Sequence, residues 1–438
     1  MSALEKYLQR TPTSKKLHNR ACEVFPGGYT RGPFQHNPYP VYVKRAQGCT
    51  LWDVDGNEYI DFVNNYGPLI LGHNDRRVLE AVQQQLESLW LGAPSEVEIK
   101  LGEKVKELFP CAERILFCPT GSEACMKAIR TYRALRRKDK IAMFDGAFHG
   151  ASDSLFFSEG IPKDLLAKIV LMPFNDVEGV QKLVKANRDE LAAVIVEPTM
   201  GSMGHEPARP DFYKAIREIT EESDVPLIFD EIVDGFRIAP GGAQQRFGVQ
   251  ADMAILGKIL GGGFPLAAFA SCEKTMRMWS VRKSSSLDIA GAPLPHPGTY
   301  NDFKISIAAG LSTINQLSPD LYDHLETIGT EVRDGLKEIC SDLKIKAQVS
   351  GVASIFHLHF TDEQIVDANS ARGANKLLYR YFELSMLDRG VNLGKLHSSF
   401  CSAPMTGSEI KLALKAAEET LASMKPLIKE IAPSLVDV

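Results

Sequence analysis

The sequence is short of several features that would decide its class at once. Its eight cysteines are scattered, without a Cys-x-x-Cys or Cys-x-x-His pair, so a zinc site is not expected. They read as reduced cytoplasmic thiols. No stretch approaches the roughly 18 apolar residues of a membrane-spanning helix, and the opening MSALEKYLQRTPTSKK has no apolar core like that of a signal peptide. A soluble, cytoplasmic protein is expected. The formal net charge of −5 gives no field that would gather polyanions, so neither nucleic acid nor an acidic membrane is an expected partner. There is no Gly-x-Gly-x-x-Gly, and Gly257-Lys258 lacks the upstream glycine and the following Ser or Thr of a nucleotide P-loop. Internal repeats and low-complexity tails are also missing.

What is present is a rhythm. The segment GCTLWDVDGNEYIDFV alternates apolar and polar residues around Asp55-Gly56, which predicts a hairpin. Further on, short apolar runs alternate with amphipathic stretches: RILFC (114–118), KIAMF (140–144), KIVLMPF (168–174), AAVIVE (192–197), VPLIFDE (225–231), DMAILGK (252–258) and PLAAFAS (265–271). Runs apolar on both faces, separated by helices, predict an α/β domain with a mostly parallel sheet covered on both sides. The polar, Pro-rich stretch WSVRKSSSLDIAGAPLPHPGTYN predicts a long loop, and helical patterns follow it, with one alternating strand at ASIFHLHF and a last helix at 407–424. The expected division is an N-terminal segment at 1–65 that joins a small domain, a large domain at 66–304, and a small α+β domain at 305–438.

In an open parallel sheet, ligands sit beyond the carboxyl ends of the strands. There VPLIFDE delivers Asp230 and Glu231, and the next apolar run delivers Lys258, followed by three glycines. An amine flanked by apolar residues is partly desolvated, which disfavours its ammonium form and exposes a nucleophile. A lysine that merely snorkels to the surface has the same local sequence. Upstream, ILFCPTGSEACMKAIR runs from a strand through Thr120-Gly121-Ser122 into a helix whose free N–H groups suit a phosphate. Thr120 and Glu123 also satisfy a capping box that needs no ligand. A desolvated lysine, a strand-end carboxylate 28 residues before it and a phosphate-ready helix start are together what pyridoxal phosphate requires.

With LIFDEIVDGFR and LGKILGGGFP as its centre, the chain resembles the class III (ω-type) pyridoxal-phosphate-dependent aminotransferases, and within them the glutamate-1-semialdehyde aminomutases and β-amino-acid aminotransferases. The resemblance runs from PGGYTR at 26–31 to the last helix. It implies the type I fold of these enzymes, with a mostly parallel seven-stranded sheet, and a homodimer with shared active sites. It also implies roles for individual residues. Lys258 would be the Schiff-base lysine, Asp230 the partner of the pyridine nitrogen, and Ile232 the side chain under the ring. Gly121 and Ser122 would hold the phosphate, Phe148 would stack on the other ring face, and Glu197 would lie near the ring hydroxyl. Thr299 would serve the phosphate of the neighbouring subunit. For His149 a structural and a catalytic role stay open. The implied reaction is ping-pong transfer of an amino group from an amino acid, a β-amino acid among the candidates, to a 2-oxo acid. The alternative is an isomerase built on the same site, an aminomutase or an amino-acid racemase.

The chain also departs from the aminomutase pattern. It resembles those enzymes at GPLILGH, HGASDSL and GGAQQRFGV, but only residues 150–167 separate His149 from the next strand, where they carry a long glycine-rich gating loop. Tyr66 stands where they have Trp, and His397 where they have an acidic residue. A short gate would leak a diamine intermediate, which favours transamination between two substrates. GGYTRG resembles the β-amino-acid aminotransferase segment whose arginine binds the substrate carboxylate, a role that passes to Arg31, although a surface arginine would look the same. Arg237 is expected to be structural. A second carboxylate-binding arginine has no clear counterpart near LGKLHSSFCSAP, where Lys395 or His397 could substitute.

Overall fold

The computed structural model describes the whole chain except residues 1–2, 33–37, 281, 284–288, 291, 396–397 and 438. The chain divides into two compact units, one of residues 1–75, 323–365 and 369–438, the other of residues 76–322 and 366–368.

The first unit opens with helices α1 (Ala3–Arg10) and α2 (Pro12–Val24). Pro12 sits in the first turn of α2, where its missing N–H costs nothing. Strands β1 (Val43–Gln47), β2 (Thr50–Asp53) and β3 (Glu58–Asp61) then pair antiparallel. The hairpin turn falls at the expected Asp55-Gly56, and Gly56 takes a φ of 89°, open to glycine without strain. Asp53 locks this turn by accepting from the N–H groups of Asp55 and Asn57 and from the Tyr59 hydroxyl. Tyr7 of α1 is buried with Tyr39, Leu51 and Tyr59.

The second unit begins with α3 (Arg76–Leu86) and α4 (Glu96–Leu108). Its centre is a sheet of β4 (Arg114–Cys118), β5 (Lys140–Phe144), β6 (Ile169–Met172), β7 (Leu191–Val196), β8 (Leu227–Glu231), β9 (Met253–Leu256) and β10 (Ala267–Ser271), in the order β4-β10-β9-β8-β7-β5-β6. Each strand lies within one of the apolar runs or one residue from it. All pairings are parallel except those of β10, which runs antiparallel to β4 and β9. All six residues of β7 are buried, as a strand covered on both faces requires. Helix α5 (Gly121–Arg136) packs across β7, β9 and β10. The expected long loop contains a two-residue strand pair, Arg282–Lys283 with Ile289–Ala290. The helix Lys304–Ile314 packs on α3 and α4 within this unit.

The chain then returns to the first unit. Gln348–Ser350, Ile355–His359 and Ser399–Phe400 form a small antiparallel sheet, and Val391–Asn392 adds to β3 in parallel. The last helix, Gly407–Ile431, starts at a capping box of Thr406 and Glu409 and runs seven residues beyond the expected 424, with Pro426 inside it. Among the described residues no helix is long and apolar enough to cross a membrane, and no cluster of His, Cys, Asp and Glu could hold a metal ion.

Candidate active site

Strand alternation decides which carboxylate faces where. Asp230 and Glu231 are neighbours at the end of β8, so they point to opposite faces of the sheet. Glu231 accepts from the N–H of Ala243 at 2.6 Å and from the Gln244 side chain at 3.0 Å. Asp230 turns to the face covered by α5. Its Oδ2 lies 2.7 Å from His149 Nδ1 and accepts from Cys125 Sγ at 3.4 Å, and its Oδ1 accepts from the Ile232 N–H at 3.2 Å. All three side chains of this cluster are buried, and among the described residues His149 Nε2 meets no hydrogen-bond partner. His149 therefore has a definite place, orienting Asp230. Cys125 is a member that sequence reasoning missed. Its signal was its position four residues after Gly121, on the same face of α5.

The parallel register brings further groups to the same edge of the sheet. Val196 pairs with Phe229 and Asp230 with Ile255, so Glu197, just past β7, and Lys258, two residues past β9, flank the end of β8. Glu197 Oε2 accepts from the Phe148 N–H and Oε1 from the Gly201 N–H, both at 3.2 Å. Burial, with the charge of Asp230 added to it, pushes Glu197 up to about 7. Lys258 follows Gly257 into a tight turn and holds a left-handed φ of 48°, uncommon for a residue with a side chain. Burial pushes its amine down to about 8, against the opposing pull of Glu197 and Asp230. A buried amine shifted towards its neutral, nucleophilic form, with carboxylates near it, is the chemical content of this edge.

At the start of α5, the Thr120 side chain accepts from the Glu123 N–H at 3.2 Å, so half of the expected capping box forms, while the Glu123 carboxylate turns instead to the Lys127 ammonium. It does not use up the helix start, because among the described residues the N–H groups of Gly121 and Ser122 find no acceptor. A Cβ on Gly121 would fall 2.5 Å from Ile232 Cδ1, so the helix start and the Ile232 side chain adjoin, and a larger residue there would have to turn the end of that side chain aside. Ser122 Oγ accepts from the Ala151 N–H at 3.1 Å. The Phe148 ring is 60% exposed and meets Phe156 edge-on. Thr299 is exposed, between the half-buried His296 and the buried Asn301. Arg237 is fully buried.

In the first unit Arg31 and Tyr66 come together, with the guanidinium carbon 4.8 Å from the ring centroid. Burial pushes the Tyr66 hydroxyl up to about 12. Lys395 lies in this unit too, where burial pushes its amine down and the Glu383 carboxylate opposes that shift. His397 lies outside the described residues.

A buried aspartate held by histidine, a desolvated lysine and a helix start with unspent donors define a type I pyridoxal phosphate enzyme. The residues suit the cofactor's three demands, an amine for its aldehyde, an anion for its pyridine nitrogen and N–H donors for its phosphate. The class III aminotransferase profile matches residues 32–406, and the chain belongs to that family, whose cofactor is pyridoxal 5'-phosphate. The chain is 37% identical to the glutamate-1-semialdehyde 2,1-aminomutase of Methanothermobacter thermautotrophicus over 426 residues, covering 94% of this chain and 99% of that protein. Its fold is similar to that of an omega-transaminase from Sphaerobacter thermophilus, with a TM-score of 0.90, 33% identity, and coverage of 95% of this chain and 99% of that one. It is also similar to a β-phenylalanine aminotransferase from Variovorax paradoxus, with a TM-score of 0.90, 26% identity and 97% of each chain covered.

Proposed function

We propose that this enzyme moves an amino group between neighbouring carbons of a single carboxylate-bearing substrate, as a glutamate-1-semialdehyde 2,1-aminomutase does. The observation that carries this reading is the 37% identity to that enzyme along 99% of its length.

Lys258 is assigned to hold the cofactor and, once released by substrate, to move the proton at the amine-bearing carbon. The N–H groups of Gly121 and Ser122 take the phosphate, with Thr299 contributing to the phosphate of a neighbouring subunit in a homodimer. Ile232 and Phe148 cover the two ring faces, Asp230 pairs with the pyridine nitrogen, and Glu197 lies at the ring hydroxyl. When bound, pyridoxal phosphate supplies an aldehyde that captures the amine and a protonated ring that accepts the electron pair freed at the neighbouring carbon. His149 fixes the direction of the Asp230 carboxylate. Lys258, near neutral at about pH 8, accepts and returns a proton without strong bias to either form. Arg31 receives the substrate carboxylate through its planar fork, and Tyr66 backs it. The test is to give the purified holoenzyme glutamate-1-semialdehyde with no oxo acid present. Formation of the 2,1-shifted isomer, 5-amino-4-oxopentanoate, is expected. Its absence, together with turnover of an amino donor only when an oxo acid is added, would reverse the reading.

That second outcome is transamination between two substrates. It is supported by the short stretch between His149 and β6, whose helical content is one turn, Lys163–Leu166, and by the 33% identity to an omega-transaminase.

A further inference from the structure

Asp230 stands at the end of β8 almost wholly removed from water, and a buried carboxylate keeps its charged form only where donors meet it. Its donors come from three places in the chain. His149, on the loop after β5, meets Oδ2 through Nδ1 at 2.7 Å, and the Ile232 N–H, in the turn just past β8, meets Oδ1 at 3.2 Å. The third is Cys125 of α5, whose Sγ donates to Oδ2 at 3.4 Å. A fully buried cysteine most often serves as a small apolar filler. This one faces a charge. Burial, with the charge of Asp230 added to it, pushes its thiol well above the ordinary range, so the proton stays on sulfur and remains available to the carboxylate.

The placement of Cys125 gives that bond a further consequence. It lies one turn along α5 from Gly121, on the same face. One helix therefore carries the N–H groups assigned to the phosphate and, about 6 Å along its axis, a donor to the carboxylate assigned to the ring nitrogen. The other two donors sit on loop or turn backbone, and a group held from inside a helix is aimed more closely than one held from a loop. We propose that Cys125 is a positioning residue for the cofactor ring, its thiol holding the Asp230 carboxylate in register with the phosphate-binding start of α5; this rests on the reading that Asp230 pairs with the pyridine nitrogen. A carboxylate offers about four acceptor sites. Three are taken among the described residues, which leaves capacity for the N–H of the ring.

The test titrates apoprotein with pyridoxal phosphate and with its deaza analogue, which keeps the aldehyde and the phosphate and has carbon in place of the ring nitrogen. The ratio of the two affinities isolates what the nitrogen contributes. The parent is expected to favour pyridoxal phosphate, and Asp230→Ala should bring the ratio close to one. Cys125→Ala removes the donor, and Cys125→Val removes it while keeping most of the side-chain volume. Both should lower the ratio about fivefold, the size of one ordinary hydrogen bond, and neither should change it further when combined with Asp230→Ala. If the parent shows no preference, or Asp230→Ala retains it, the reading of Asp230 fails. If Asp230→Ala abolishes the preference while either cysteine variant retains it, or if the cysteine variants still change the ratio without Asp230, that reading stands and the role of Cys125 is overturned. A variant that only lowers thermal stability, or weakens both ligands alike, counts as retaining it.

Discussion

The imidazole Nδ1 of His149 lies 2.7 Å from Oδ2 of Asp230, and both side chains are almost wholly removed from solvent. Residues 81 positions apart in sequence thus form one buried unit at the end of β8. If Asp230 pairs with the cofactor ring, replacing it by Asn keeps the shape and removes the charge, and kcat should fall by about 10²-fold. His149→Ala should cost less activity, roughly tenfold, but should destabilise the apoprotein by about 1–3 kcal/mol by leaving a buried carboxylate short of a partner. Steady-state kinetics and urea unfolding of the two variants separate these effects.

Lys258→Ala should abolish the borohydride-fixed adduct, detected by mass spectrometry of the digested protein, and lower kcat by about 10²- to 10⁴-fold. A labelled peptide that survives at another lysine would reject the assignment.

Only the neutral amine of Lys258 can attack an aldehyde. Its amine is held near 8 where an ordinary lysine stands at 10.5, so the rate of loading apoprotein with pyridoxal phosphate should rise with pH through a midpoint near 8. Glu197 opposes that depression. Glu197→Gln removes a negative charge that favours the ammonium form, and the midpoint should move to lower pH. Stopped-flow absorbance across pH 6 to about 10.5 reads both profiles, and a shift to higher pH would contradict the sign.

Gly121→Ala would drive a Cβ to within 2.5 Å of Ile232 Cδ1. Because the atom met is the end of a half-buried side chain that can turn, the cost should lie at or below the low end of the roughly 1–3 kcal/mol of core overpacking. Cofactor affinity should drop roughly tenfold if this helix start holds the phosphate. Adding Ile232→Ala should recover part of the thermal stability without recovering the affinity, because the second change removes the clash and also a face of the ring. Spectrophotometric titration and thermal melts of the single and double variants report each quantity.

Much of the fold was legible in the chain because strands buried on both faces must be apolar throughout. KIAMF coincides with the buried β5 to the residue, and RILFC does so with β4, although that strand lies at the sheet edge and is only partly buried. The strand-end positions of Asp230 and Lys258, the helix start at Gly121 and the hairpin turn at Gly56 were equally readable, since each depends on local backbone chemistry. Helices α1 and α2 were not. They lie in a mixed stretch, where α1 is only eight residues long and its apolar Leu4, Tyr7 and Leu8, though at helical spacing, make too short a run to stand out; α1 takes its place from Tyr7, whose hydroxyl donates to the Tyr39 carbonyl.

By itself, then, the sequence determined the layered α/β class, the rhythm of its strands and the residue types gathered at their carboxyl ends. Only the tertiary structure decided the antiparallel course of β10, the opposite facings of Asp230 and Glu231, the meeting of Asp230 with His149 and Cys125, and the hold of Asn65 on Arg31. The reason is physical. Burial and backbone preference are properties of a residue and its near neighbours, and composition records them. A hydrogen bond between residues 34 or 81 positions apart depends on how whole elements pack, and no local pattern encodes it.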